Sequence, residues 1–127
     1  MIDDEEDIRE VIKVGLESIA GWEVITASSG AQGISKAKDD APDAILMDVM
    51  MPEMDGLSTF ELLKGIEETK GIPVFLLTAR ARESDLSSMA RTGCRDILTK
   101  PFDPLAMPDQ IAIAMGWELP ETKSEII

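Results

Sequence analysis

A chain of 127 residues, 44% apolar and 29% charged, is long enough for one domain with a real core and too apolar for disorder. Twelve Lys and Arg against 25 Asp and Glu leave a formal charge of −13, a poor footprint for direct binding to nucleic acid or an anionic membrane. The absence of histidine excludes Ser-His and Cys-His triads, His-ligated zinc and a phosphohistidine on this chain, while the lone Cys94 excludes an internal disulfide and fits a reducing cytoplasm.

Met1-Ile2 reads as the stub of a first strand, ending in Asp3-Asp4. A helix follows, with Ile8, Val11, Ile12, Leu16 and Ile19 at three- and four-residue spacings and a stop at Gly21. Trp22 to Thr26 is a candidate strand. The helical pattern around Ala31 to Lys38 is weakened by Gly30 and Gly33. Ala44-Ile45-Leu46-Met47 and Val74-Phe75-Leu76-Leu77 are continuously apolar, as expected of strands covered on both faces. Between them Leu57, Phe60, Leu63 and Ile66 mark a third helix, started near Asp55-Gly56. Leu86, Met89 and Ala90 mark a short fourth, ending at Thr92-Gly93, before a strand from Asp96 to Thr99. Asp103-Pro104 opens a fifth helix, which Pro108 distorts or restarts. Strand and helix alternate every 20–26 residues or so, which predicts βα units and a doubly wound parallel α/β sheet. No apolar run approaches the roughly 18 residues of a transmembrane helix, and the acidic start is the opposite of a signal peptide.

Ligands of such sheets bind beyond the carboxyl ends of the strands. The residues placed there are Asp3 and Asp4, Asp48, Thr78 with Ala79, and Thr99-Lys100-Pro101. Taken singly, most have ordinary roles: acidic residues cap helices, and six of the eight residues from Asp3 to Glu10 are acidic, a first turn favoured by the helix dipole. Asp48 stands apart because it follows four apolar residues directly. Converging carboxylates repel, by roughly 4 kcal/mol for two charges about 4 Å apart at an effective dielectric of 20, and so call for a cation or a proton. Oxygen donors without His or Cys suit a hard ion such as magnesium. With a carboxylate that can attack, a hydroxyl and a lysine, the set describes a phosphoryl-transfer site with Asp48 as nucleophile.

Asp3-Asp4-Glu5, Ile45 to Gly56, Leu77-Thr78-Ala79 and Leu98 to Phe102 together resemble the motifs of response-regulator receiver domains, in order and spacing, from Asp3 to about Met115. The resemblance implies a flavodoxin-like, five-stranded parallel sheet in order 2-1-3-4-5 with five flanking helices. It further implies that Asp48 accepts a phosphoryl group from a phosphohistidine on a sensor kinase or histidine phosphotransfer protein. Asp4, Asp48 and the backbone carbonyl of Met50 would bind Mg2+, with Asp3 acting through a water. Lys100 would pair with Asp48 and then with the phosphoryl oxygens, and Thr78 would move to bond one of them. Ala79 would leave access, Pro52 and Gly56 would shape the loop, and Lys100-Pro101 would be a cis peptide. Ile97 stands at the switch position where the family usually carries Tyr or Phe.

The expected organisation is a receiver over residues 1–115 and a short acidic tail over 116–127, with no output domain and a first strand that is short at its amino end. The expected function is cytoplasmic phosphorelay to a protein target, with no turnover of an external substrate, no direct contact with nucleic acid and no membrane insertion. A dehalogenase-like phosphatase would need a general acid where Met50 stands. An FMN-binding flavodoxin would want a Ser/Thr/Gly phosphate loop and aromatic cover, whereas this chain has no Tyr. A receiver acting only as an interaction surface is the third alternative.

Overall fold

The computed structural model describes residues 1–49, 56–79, 86, 87, 89, 91–99, 103, 105–117 and 125–127. Helix α1 (Glu6–Gly15) runs into a π turn (Leu16–Ala20), then strand β1 (Glu23–Val24), α2 (Gly30–Asp40), β2 (Ile45–Asp48), α3 (Gly56–Gly65), β3 (Val74–Thr78) and β4 (Asp96–Thr99). Helix α4 (Met107–Met115) and strand β5 (Glu125–Ile126) complete the set. Leu86, Ser87 and Met89 are also helical.

The strands pair in parallel throughout. β2, β3 and β4 form one three-stranded sheet and β1 pairs with β5, in the register Glu23 with Glu125 and Val24 with Ile126. Bridges from Ile2 to Ala27 and Met47, and from Ala44 to Ile126, join the two sheets. Side chains alternate as the pleat requires. Leu46, Phe75, Leu77 and Leu98 pack with Ile12, Leu16, Met107 and Ile111 on one face. Ile45, Met47, Val74 and Leu76 pack with Ala37, Phe60 and Leu63 on the other. Helices on both faces make the sheet doubly wound, as the unbroken apolar runs predict.

Three expectations are refined. The first helix buries Ile12, Leu16 and Ala20, at successive four-residue spacings, while Val11 and Ile19 are exposed, and Gly21 ends the π turn at φ 73°. In α2 the glycines are packing residues: a Cβ at Gly30 would run into Thr59 Oγ1 of α3, and one at Gly33 into the side chain of Ile2. The last helix begins at Met107 with Ala106 as its N-cap rather than Asp103, and Pro108 sits in its first turn, where the missing N–H costs nothing. Asp103 prepares that start by accepting from Leu105 N through its carboxylate at 2.9 Å.

A larger difference lies at the centre of the sheet. The stretch read as an acidic tail is not a tail throughout, for Glu125–Ile127 are inside the sheet, Ile126 and Ile127 fully buried. They lie between β1 and β2, in line with Met1–Ile2. The physical reason is that an empty slot there would leave backbone groups of β1 and β2 dry and unbonded, at a cost of about 1–3 kcal/mol each. Ile25 N instead donates to Ile126 O at 2.9 Å, Ile127 N donates to Ala44 O at 3.0 Å, and Leu46 N donates to Ile127 O. β1 is an edge strand whose outward carbonyls are covered by lysines: Lys13 Nζ donates to Val24 O at 3.0 Å, and Lys36 Nζ to Thr26 O.

Candidate phosphoryl-transfer site

Asp3, Asp48 and Thr78 lie at the carboxyl ends of neighbouring strand positions, each fully buried or nearly so. The ladder fixes them there. Asp3 N donates to Ala27 O at 3.1 Å and Asp48 N to Ile2 O at 2.9 Å. Val49 N donates to Leu77 O at 2.9 Å, so Asp48 sits beside Leu77 and one step back from Thr78. Each is the first polar residue after an apolar run, and the pairing register converts that sequence feature into proximity.

Asp3, Asp4 and Asp48 each place a carboxylate oxygen within 4.8 Å of the others, Asp4 exposed and the other two buried. The donor set is all hard oxygen, two carboxylates are taken from water, and their mutual repulsion favours a bound cation. These features fit a magnesium-sized ion. The acidic turn is braced from within: Asp3 Oδ1 accepts from Glu5 N at 2.9 Å, and Arg9 Nη1 donates to Asp3 O at 2.7 Å. Arg9 has no strand-end signal in the sequence; its role shows only because one helical turn brings it back over the loop. Ala79 is exposed next to buried Thr78. Ile97 lies in β4 opposite Leu76, half-buried against the α2–α3 face. Lys100, Met50, Pro52 and Pro101 lie outside the described residues.

Among the described residues a cavity of about 460 Å³ lies at the other ends of the strands, lined by Phe60, Lys64, Lys70, Val74, Cys94 and Arg95, and contains none of the site residues. Burial pushes the Cys94 thiol above its ordinary range, which makes it a poor nucleophile. No described helix is long and apolar enough to cross a membrane.

A doubly wound parallel sheet with two buried carboxylates gathered at one rim is the arrangement expected of the receiver class. Residues 1–112 match the family model for the response regulator receiver domain, and the chain belongs to that family. It is 35% identical over 127 residues to the alkaline phosphatase synthesis transcriptional regulatory protein PhoP of Bacillus subtilis, covering 99% of this chain and 52% of that protein. To the phosphate regulon transcriptional regulatory protein PhoB of Pseudomonas aeruginosa it is 39% identical, covering 82% of this chain and 45% of that protein. The chain thus spans about half the length of these relatives. The Vibrio cholerae chemotaxis response regulator CheY4 superposes with a TM-score of 0.82 at 28% identity, covering 89% of this chain and 93% of that one. The receiver domain of the Francisella response regulator 1452 gives 0.81 at 27% identity, covering 91% and 93%.

Proposed function

We propose that this receiver takes a phosphoryl group from a phosphohistidine of a sensor kinase or histidine phosphotransfer protein onto Asp48. The observation that carries the reading is the burial of Asp48 at a strand end with Asp3 and Asp4 within 4.8 Å. In the transfer an Asp48 carboxylate oxygen attacks phosphorus, the phosphorus–nitrogen bond of the donor breaks, and the electron pair leaves with the imidazole. Water later attacks the acyl phosphate, returning the carboxylate and inorganic phosphate. Thr78 donates its hydroxyl to a phosphoryl oxygen and Lys100 offsets the added charge. Mg2+ would be held by Asp4, Asp48, the Met50 carbonyl and, through water, Asp3; when bound it supplies countercharge to the carboxylates and to the phosphoryl oxygens.

The reading extends to a five-stranded sheet flanked by five helices, in order 2-1-3-4-5 when Met1–Ile2 is counted as the first strand, a place that the two chain ends share. It also makes the protein cytoplasmic and free of turnover on external substrates. Phosphorylation favours one of two conformations and is read by a protein target. The names of PhoP and PhoB say that they regulate transcription; that output belongs to those proteins.

Incubation with acetyl phosphate and magnesium, followed by intact mass, tests the assignment. Wild type gains one acid-stable, base-labile phosphoryl group and Asp48→Asn gains none. Equal labelling of Asp48→Asn removes Asp48 as the acceptor.

A further inference from the structure

The cavity at the amino ends of β3 and β4 collects positive charge in a chain that is otherwise strongly negative. Lys64, Lys70 and Arg95 line it, and among its ten described lining residues there is no carboxylate. Asp and Glu make up 25 of 127 residues, so a patch of that size drawn evenly from the chain would hold about two. Arg9, Lys13 and Lys36, elsewhere in the fold, each lie against a backbone carbonyl. The role of a cation at a helix end accounts for Lys64 alone. In the last turn of α3, its Nζ donates to Thr92 O at 2.7 Å and stands 5.3 Å from the centre of the Phe60 ring. Arg95 is in no helix, and its guanidinium forms no ion pair or hydrogen bond among the described residues. Lys70 pairs with Glu67 at 2.8 Å, but these side chains are 56% and 79% exposed, so water screens the pair and an incoming anion can share the ammonium.

The walls are held in place by the fold itself. Arg95 N donates to Val74 O at 2.7 Å, tying the start of β4 to the start of β3, and Lys64 ties α3 to the turn before β4. Gly93 makes that turn at φ 87°, and a Cβ there would stand 3.4 Å from Lys64 Nζ, so glycine keeps the ammonium open to the cleft. The volume of about 460 Å³ is too large for a single inorganic ion and falls within the roughly 300–1,000 Å³ of small-molecule sites. An ammonium offers a point charge, and a guanidinium offers a planar fork that matches two oxygens of a phosphate or carboxylate.

We propose that this cleft binds a small multivalent anion, a molecule with at least two phosphate or carboxylate groups, Arg95 holding one group and Lys64 and Lys70 another. The cleft lies at the opposite ends of the strands from Asp3, Asp4 and Asp48, and the proposal does not depend on the phosphoryl-transfer reading. Cys94 lies in the same wall and is the one cysteine of the chain, so its alkylation reports on this cleft and on no other place.

The test titrates pyrophosphate and citrate separately into the full chain by calorimetry, in metal-free buffer at low salt. The two arms distinguish phosphate from carboxylate ligands, and without a metal the acidic rim repels both. One or both should bind saturably, weaken as salt rises, and slow iodoacetamide alkylation of Cys94 about tenfold at saturation. Arg95→Gln should weaken binding about tenfold and Lys70→Gln by less, while Lys38→Gln, an exposed lysine of α2, should leave it unchanged. All three positions are exposed, so the variants should fold as wild type does. Absence of saturable binding by either anion overturns the proposal. Binding that leaves Cys94 alkylation unaltered, or that is equal in Arg95→Gln, puts the anion elsewhere and overturns it too. Should Cys94 of the free chain prove unreactive, amide shifts of Gly71, Gly93 and Arg95 on titration replace that readout, and shifts confined to other residues overturn the proposal.

Discussion

Met1 follows Ile127 in the sheet as a peptide neighbour would, although the two are the opposite ends of the chain. The Met1 nitrogen donates to Ile25 O at 2.8 Å, and the Ile127 carbonyl accepts from Leu46 on the other side.

Burial, and secondarily the charges of Lys36 and Lys13, hold the Met1 amine well below its ordinary value of 8.0. In the unfolded chain that amine binds its proton near pH 8, so below this pH unfolding takes up a proton. Stability should therefore rise with pH up to about 8 and then level off. The chain has no histidine, and burial raises the Cys94 thiol, so neither gives a competing transition between pH 6 and 8. Urea midpoints across this range should climb; a flat profile would contradict a buried amine.

Gly30 and Gly65 should respond to alanine in opposite ways. At Gly30 the new methyl meets Thr59 Oγ1, and overpacking of about 1–3 kcal/mol outweighs a helix-propensity gain of about 1 kcal/mol. At Gly65 no atom lies within 4 Å of the added Cβ, so Gly65→Ala should stabilise by about 0.4–1 kcal/mol. Urea unfolding checks both. Gly30→Ala combined with Thr59→Ala should lose less than the sum of the single losses, because the collision is shared.

Magnesium should barely change tryptophan emission. Trp22 precedes β1 at its amino end and Trp117 follows α4, and their rings meet edge to face with centroids 5.4 Å apart in the α1–α4 core. The carboxylates lie at the other ends of the strands. A large saturable quench, lost in Asp4→Ala, would mean that the tryptophans or the ion site lie elsewhere.

Phosphorylation should move Thr78 without moving Ile97. Ile97 is β-branched, stiff at χ1 and already packed against the α2–α3 face. Structures with and without a phosphoryl mimic check this; Ile97 swapping between exposed and buried rotamers would contradict it.

Sequence by itself determined the parts whose signal is local. Ala44–Met47 and Val74–Leu77 announced buried parallel strands because both faces of each had to be apolar, and the polar residue after each run fell at the site rim. Asp48 and Thr78 were legible for that reason, and Asp3 and Asp4 because the stub before them ends the same way. Tertiary structure alone decided what depends on contacts between distant segments. Gly30 and Gly33 read as helix weaknesses until α3 and Ile2 closed against them. Arg9 became a brace only when its helix turned back over Asp3. Ile126 and Ile127 carry too short a run to show any period, and their partners Ile25, Ala44 and Leu46 lie about 80–100 residues away. Backbone hydrogen bonds to them have no side-chain signature, so the filled slot at the centre of the sheet emerges only from the folded ladder.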